Sequence, residues 1–214
     1  AEAFDAAAWA DLFAEAGARY AVLVTKHHDG YCLWPTDVPH PHRPGWHARR
    51  DFVGELGQAV RARGLTFGTY YSGGLDWTFR HVPIATFGDM MACVPFEDDY
   101  RAYALAQYRE LIERYGPEVL WNDIAYPDAG DRDRLFDLFR AARPQGVVND
   151  RWTASRRAFE RLREPGPRAE LDAMIKARRA SGSDDLMPRD TGIGDFRTPE
   201  YSDRLEFGDR ALEA

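Results

Sequence analysis

Tyr20-Ala-Val-Leu-Val-Thr25 runs directly into Lys26-His27-His28-Asp29-Gly30, so a short apolar, β-branched stretch ends in a block of polar groups. The apolar part reads as a buried strand. Upstream, Trp9, Leu12, Phe13 and Ala16 fall at i, i+3, i+4 and i+7, one face of a helix, with Gly17 placed to help end it. The helix-then-strand unit then recurs. Phe52, Leu56, Ala59 and Val60 form a helical stripe behind Asp51, an N-cap residue type, and Gly64 can close that helix before Leu65-Thr-Phe-Gly-Thr-Tyr70. Tyr108, Leu111, Ile112 and Tyr115 mark a helix that must stop before Pro117, and Val119-Leu-Trp-Asn122 is its strand. Leu135, Leu138, Phe139 and Ala142 give a fourth helix ahead of Gly146-Val-Val-Asn149.

Repeated helix-strand units with buried-type strands require a parallel sheet with helical crossovers. Doubly wound sheets and (β/α)8 barrels both fit. No glycine-rich phosphate loop follows any strand, which argues against dinucleotide binding. The expectation is an α/β, TIM-like barrel domain over 1–214 that is incomplete, lacking its N-terminal strand and its C-terminal part. Residues 153–193 interrupt the rhythm with two short helical patterns, Phe159 with Leu162 and Leu171 with Met174 and Ile175, separated by Pro165-Gly-Pro167. Interleaved Arg156, Arg157, Glu160, Arg161, Arg163, Glu164, Glu170 and Asp172 make this a solvated helical insertion on a barrel loop.

Composition excludes several classes. A chain of 214 residues can bury one sizeable core. Its net charge of -7 argues against a nucleic-acid binder, which needs a positive field to meet phosphates. No apolar run approaches the roughly 20 residues that span a bilayer, and no signal peptide is visible, leaving cytoplasmic and secreted locations open. A homo-oligomer is equally open. Cys32 and Cys93 belong to no CxxC pair and read as buried free thiols.

In a parallel α/β protein the loops leaving the strand carboxyl ends open on one side, and function gathers there. Here those positions carry Lys26-His27-His28-Asp29-Gly30, then Tyr70-Tyr71-Ser72-Gly73-Gly74 with Asp76 and Trp77, then Trp121-Asn122-Asp123, then Asn149-Asp150-Arg151-Trp152. Flat aromatic faces beside histidine, asparagine, arginine and carboxylate suit a pyranose ring and its hydroxyls. Neighbours in an extended segment point opposite ways, so His27 and His28 read as separate hydrogen-bond groups rather than a metal pair. Asp29 before Gly30 reads as a turn former. Asp123 reads as catalytic rather than as a helix cap, whereas Arg151 can equally serve the site or pair with Asp150.

Taken together the segments resemble glycoside hydrolase family 29, the α-L-fucosidases. The resemblance rests on Trp9 to Trp34, Arg63 to Trp77, Glu118 to Pro127, Val147 to Trp152, and Gly194-Asp-Phe-Arg-Thr-Pro-Glu-Tyr201. It implies that Asp123 is the nucleophile, that His27, His28, Tyr70, Trp121 and Arg151 bind substrate, and that Glu200 of Thr-Pro-Glu-Tyr is the general acid/base. It also implies a further sugar-binding histidine on a strand upstream of Ala1, and a C-terminal β-sandwich seen in many members; neither is in this sequence. The implied reaction is a double displacement on a fucosylated oligosaccharide or glycoconjugate, with no metal and no other cofactor. The implied surroundings of Glu200 are partly apolar, with Trp121 and Trp152 as candidates to supply them. Two other readings compete: a metal-dependent barrel hydrolase using His27, His28 and Asp123, and a catalytically inactive carbohydrate-binding relative.

Overall fold

The computed structural model describes residues 3–181. Its elements are α1 (Ala6–Glu15), β1 (Tyr20–Lys26), α2 (Phe52–Ala62), β2 (Thr66–Tyr71), α3 (Phe87–Ala92), α4 (Asp98–Tyr115), β3 (Val119–Asn122), α5 (Ala129–Ala142), β4 (Val147–Val148), α6 (Arg156–Arg161) and α7 (Pro165–Ala180). Helix ends follow local chemistry. The Asp51 carboxylate accepts from Gly54 N–H and caps α2, and Gly116 in the left-handed region ends α4 one residue before Pro117.

The strands form one parallel sheet in the order β1-β2-β3-β4, as the repeated units require. Register places Leu23, Thr69 and Leu120 on one face, and Val24, Tyr70 and Trp121 on the other. The first face joins Val53, Leu56 and Val60 of α2, Tyr108, Leu111 and Ile112 of α4, and Leu135 and Phe139 of α5 in the main core. The opposite face is open at β1, where Tyr20 is 38% and Val24 41% exposed. The stripe read on α1 also faces outward: Trp9 and Leu12 are exposed, and Ala10 is the buried residue of that helix.

A register slip between Val24 and Lys26 changes what the end of β1 presents. Without it, alternation would put Lys26 on the open face beside Val24; the bulge turns it to the helix side instead. There Lys26 Nζ lies 2.6 Å from Asp76 Oδ2, both side chains fully buried, and 4.2 Å from the centroid of the Tyr71 ring. Lys26 and Asp76, expected on the functional rim, therefore lie beneath it as a strut joining the loops after β1 and β2. Gly30 has a φ of 74°, and any Cβ there would sit 2.6 Å from Asp76 Oδ1, so glycine is needed for both conformation and space.

α3 escaped the sequence reading; its start is set by a reciprocal capping box between Thr86 and Asp89. It seeds a second core in which Met91, Val94 and Phe96 meet Phe159 and Leu162 of the α6 region. Residues 153–181 are thus only partly solvated, because one face of α6 is needed to cover α3. Pro165-Gly-Pro167 does not separate two helices but opens α7, where proline's missing N–H has no helical partner to lose.

Breaking a buried ion pair from one side leaves an uncompensated charge, so Asp76→Ala is expected to cost about 3–5 kcal/mol. Lys26→Met added to it should recover part of that loss. Urea denaturation midpoints of the two variants check this, and a double variant no more stable than the single one would contradict it.

Candidate active site

The carboxyl ends of β1, β2, β3 and the loop after β4 converge on Asp123. Asp123 is buried, with 8% of the residue exposed, and its carboxylate is held from three sides. The Tyr70 hydroxyl donates to Oδ2 at 2.6 Å, Arg151 donates to Oδ1 at 2.7 Å, and the N–H of Ile124 donates to Oδ1 at 2.9 Å. Burial pushes the Asp123 carboxyl up, but the bonds from Tyr70 and Arg151, the charge of Arg151 and the Ile124 N–H outweigh it and hold the group below its ordinary value. Burial and then the neighbouring carboxylate push the Tyr70 hydroxyl the other way, so it remains a donor.

The backbone behind Asp123 is strained. Ile124, a β-branched residue, has a φ of 73°. Ala125 N–H donates to Asp123 C=O at 3.1 Å, closing a tight three-residue turn, and Gly74 N–H donates to the same carbonyl at 3.1 Å. A Cβ on Gly74 would lie 2.6 Å from Ala125 N, so the β2 loop can approach this turn only as glycine. The turn is locked by Asn122, fully buried, whose Nδ2 donates to Ala125 C=O at 2.9 Å and Arg151 C=O at 2.7 Å while Oδ1 accepts from Tyr108 OH at 2.6 Å.

His27 and His28 do not point opposite ways: their ring centroids are 3.9 Å apart. The strand has already ended at Lys26, and the segment is a turn in which Gly30 N–H donates to His27 C=O, so strand alternation does not apply. His27 stacks against Tyr70 at 5.8 Å and 13°. His28 Nδ1 meets Ser72 Oγ at 2.6 Å, and burial followed by the charge of His27 lowers its pKa to about 4. Asp29 accepts from Tyr31 N–H in the expected turn role. Trp121 stands on the open face between Tyr70 and the Arg151 guanidinium, which is 6.0 Å from its ring centroid.

Trp152 is not on the rim. It is fully buried against Tyr108, Tyr126 and Phe136, and so cannot line the site as expected. Glu200 and its Thr-Pro-Glu-Tyr segment lie outside the described residues. Tyr108 and Ile124 are parts of the site that the sequence did not announce: Tyr108 sits on an ordinary helical stripe, and nothing in the residue type of Ile124 signals a positive φ. Both cysteines are free and buried, and burial raises the Cys32 thiol to about 11. Among the described residues no three His, Cys, Asp or Glu side chains form a cluster able to hold a metal ion.

Fold and site together define a parallel α/β protein with a buried, ion-paired carboxylate at its strand carboxyl ends. The sequence model of the Alpha-L-fucosidase family matches residues 1–177, and the chain belongs to that family. It is 36% identical over 162 residues to the tissue alpha-L-fucosidase of Bos taurus, covering 70% of this chain and 32% of that one. It is 39% identical over 143 residues to putative alpha-L-fucosidase 1 of Oryza sativa subsp. japonica, covering 65% of this chain and 25% of the relative. Among solved structures, it resembles Thermotoga maritima alpha-fucosidase in complex with a mechanism-based inhibitor, with a TM-score of 0.64, 44% identity, and coverage of 70% of this chain and 36% of that chain. It also resembles alpha-L-fucosidase AlfC from Lactobacillus casei in complex with alpha-L-fucose, with a TM-score of 0.55, 26% identity, and coverage of 70% and 51%. The chain thus spans about a third of the bovine relative.

The support that Tyr70 gives the ionised carboxylate is present above the unfolded aspartate value of about 3.9 and is lost as pH falls through the lower folded value. Tyr70→Phe should therefore cost about 1.5–3 kcal/mol of stability at pH 7 and distinctly less at pH 3. Urea unfolding at both values checks the sign, and an equal cost at the two would contradict it.

Proposed function

We propose that the protein of which this chain is part is a retaining α-L-fucosidase that releases terminal α-L-fucose from glycans. The observation that carries the reading is the state of Asp123. A carboxylate that is nearly buried yet held ionised by Tyr70 and Arg151 is prepared to attack an electrophilic carbon without first losing a proton. Family membership supplies the substrate class.

Asp123 attacks the anomeric carbon while Glu200, protonated, gives its proton to the departing glycosidic oxygen. The covalent fucosyl-enzyme is then opened by a water from which Glu200 takes a proton, returning fucose with its configuration retained. This requires the two carboxyl groups to lie about 5–5.5 Å apart. His27, His28, Tyr70, Trp121 and Arg151 bind the sugar. No step needs a metal.

The sheet is, in this reading, half of a (β/α)8 barrel whose remaining strands lie outside the described residues, and 1–214 is part of its catalytic domain with a helical insertion at about 153–193. Sequential strand order, and apolar Tyr20 and Val24 left uncovered on the face away from the helices, support it.

Asp123→Gly in the full-length protein should lower hydrolysis of an aryl α-L-fucoside by at least about 10³-fold, since the covalent step is lost. Added azide should restore part of the rate and yield a fucosyl azide. Near-normal turnover in the variant would remove Asp123 from the mechanism. Loss of wild-type activity on chelation, restored by metal, would favour the metal-dependent alternative.

A further inference from the structure

The histidine at the end of β1 has its protons assigned by its neighbours. Ser72 Oγ lies 2.6 Å from His28 Nδ1 and also 2.6 Å from the carbonyl oxygen of Leu75. A hydroxyl carries one proton, and a carbonyl oxygen can only accept. The serine proton must therefore lie toward Leu75, because two bare oxygens at that distance would repel. The short contact to the imidazole then needs its proton on Nδ1. No group among the described residues bonds to Nε2, and His28 is only partly buried.

We propose that Ser72 is a positioning residue that locks His28 in the Nδ1–H tautomer, so that Nε2 presents a lone pair to a hydroxyl of the bound sugar. The ligand group at this place must then be a donor, and an ether or fluorine there is excluded. The sugar half of this statement rests on the proposed function; the tautomer does not. Burial and the charge of His27 lower His28 to about 4, against the opposing pull of Asp123 and Asp29, so the ring is neutral at pH 7 and the choice of tautomer decides what it offers.

Ser72 is well suited to a fixed orientation. Its N–H donates to Lys26 C=O at 3.0 Å, and its carbonyl accepts from Tyr100 OH at 3.4 Å. Neither bond uses the side chain, so Ser72→Ala removes the hydroxyl while leaving the loop its backbone contacts. Lys26 in turn is held by Asp76. The stretch Lys26-His27-His28 and the stretch Tyr71-Ser72 are therefore fixed to each other below the rim, and the hydroxyl selects one of the two imidazole tautomers above it.

Nitrogen-15 NMR of the protein labelled in its histidine rings tests this at pH 7, with His28 assigned by the signals lost in His28→Gln. The wild type should show His28 protonated on Nδ1 and bare on Nε2. Ser72→Ala should bring in the Nε2–H form and raise KM for an aryl α-L-fucoside about 10- to 100-fold, with a smaller change in kcat. A wild-type ring protonated on Nε2 overturns the proposal, as does folded Ser72→Ala that keeps pure Nδ1–H and wild-type KM. Should the variant fail to fold, the wild-type spectrum decides. An Nδ1–H ring in a protein that hydrolyses no fucoside would sink the fucosidase reading and leave the tautomer assignment standing.

Discussion

Asn122 holds the site together. Its side chain satisfies two carbonyls and one hydroxyl in a fully buried position, so the orientation of the amide is fixed: only Nδ2 can serve Ala125 and Arg151, and only Oδ1 can serve Tyr108. Its backbone is bound as tightly. Asn122 N–H donates to Asn149 Oδ1 at 3.0 Å, and Asn149 Nδ2 donates to Asn122 C=O at 2.8 Å. The Asn149 side chain thus takes over from β4, whose ladder to β3 stops at Leu120 and Val148. With these bonds, the turn that aims Asp123 and the loop that delivers Arg151 become one rigid piece. A positive φ at Ile124 persists because so many bonds over-determine it.

Two ion pairs divide the work. Lys26 and Asp76 sit under the rim, dry and enclosed by the rings of Tyr71, Tyr100 and Tyr103, where their role is to fix loop against loop. Arg151 and Asp123 sit at the rim, where both side chains keep a little solvent exposure, 18% and 11%. Similar chemistry has different consequences because burial differs: the lower pair cannot meet a ligand, and the upper one can.

Much of this was legible in the residues. Period-3.6 stripes located α2, α4 and α5, apolar runs located all four strands, and the polar groups that follow those strands included the carboxylate, tyrosine and arginine that the structure brings together. What was illegible depended on tertiary geometry. A single bulge in β1 moved Lys26 from rim to interior. The turn after it brought His27 and His28 face to face, where alternation had separated them. Trp152 follows Arg151 directly but turns into the core. The short α3 carries too few apolar positions to show a period, and its need for a cover is what draws α6 inward. Glu200 was proposed only by resemblance, and it lies outside the described residues.

As the proposed nucleophile, Asp123 must form a covalent bond to the sugar. Incubation of the full-length protein with a 2-deoxy-2-fluoro-α-L-fucosyl donor bearing an activated leaving group should trap that bond, because the fluorine slows hydrolysis of the intermediate. Mass spectrometry of a peptide digest should then find the added fluorofucosyl mass on the peptide containing Asp123. The same mass on a different carboxylate, with the Asp123 peptide unmodified, would contradict the account.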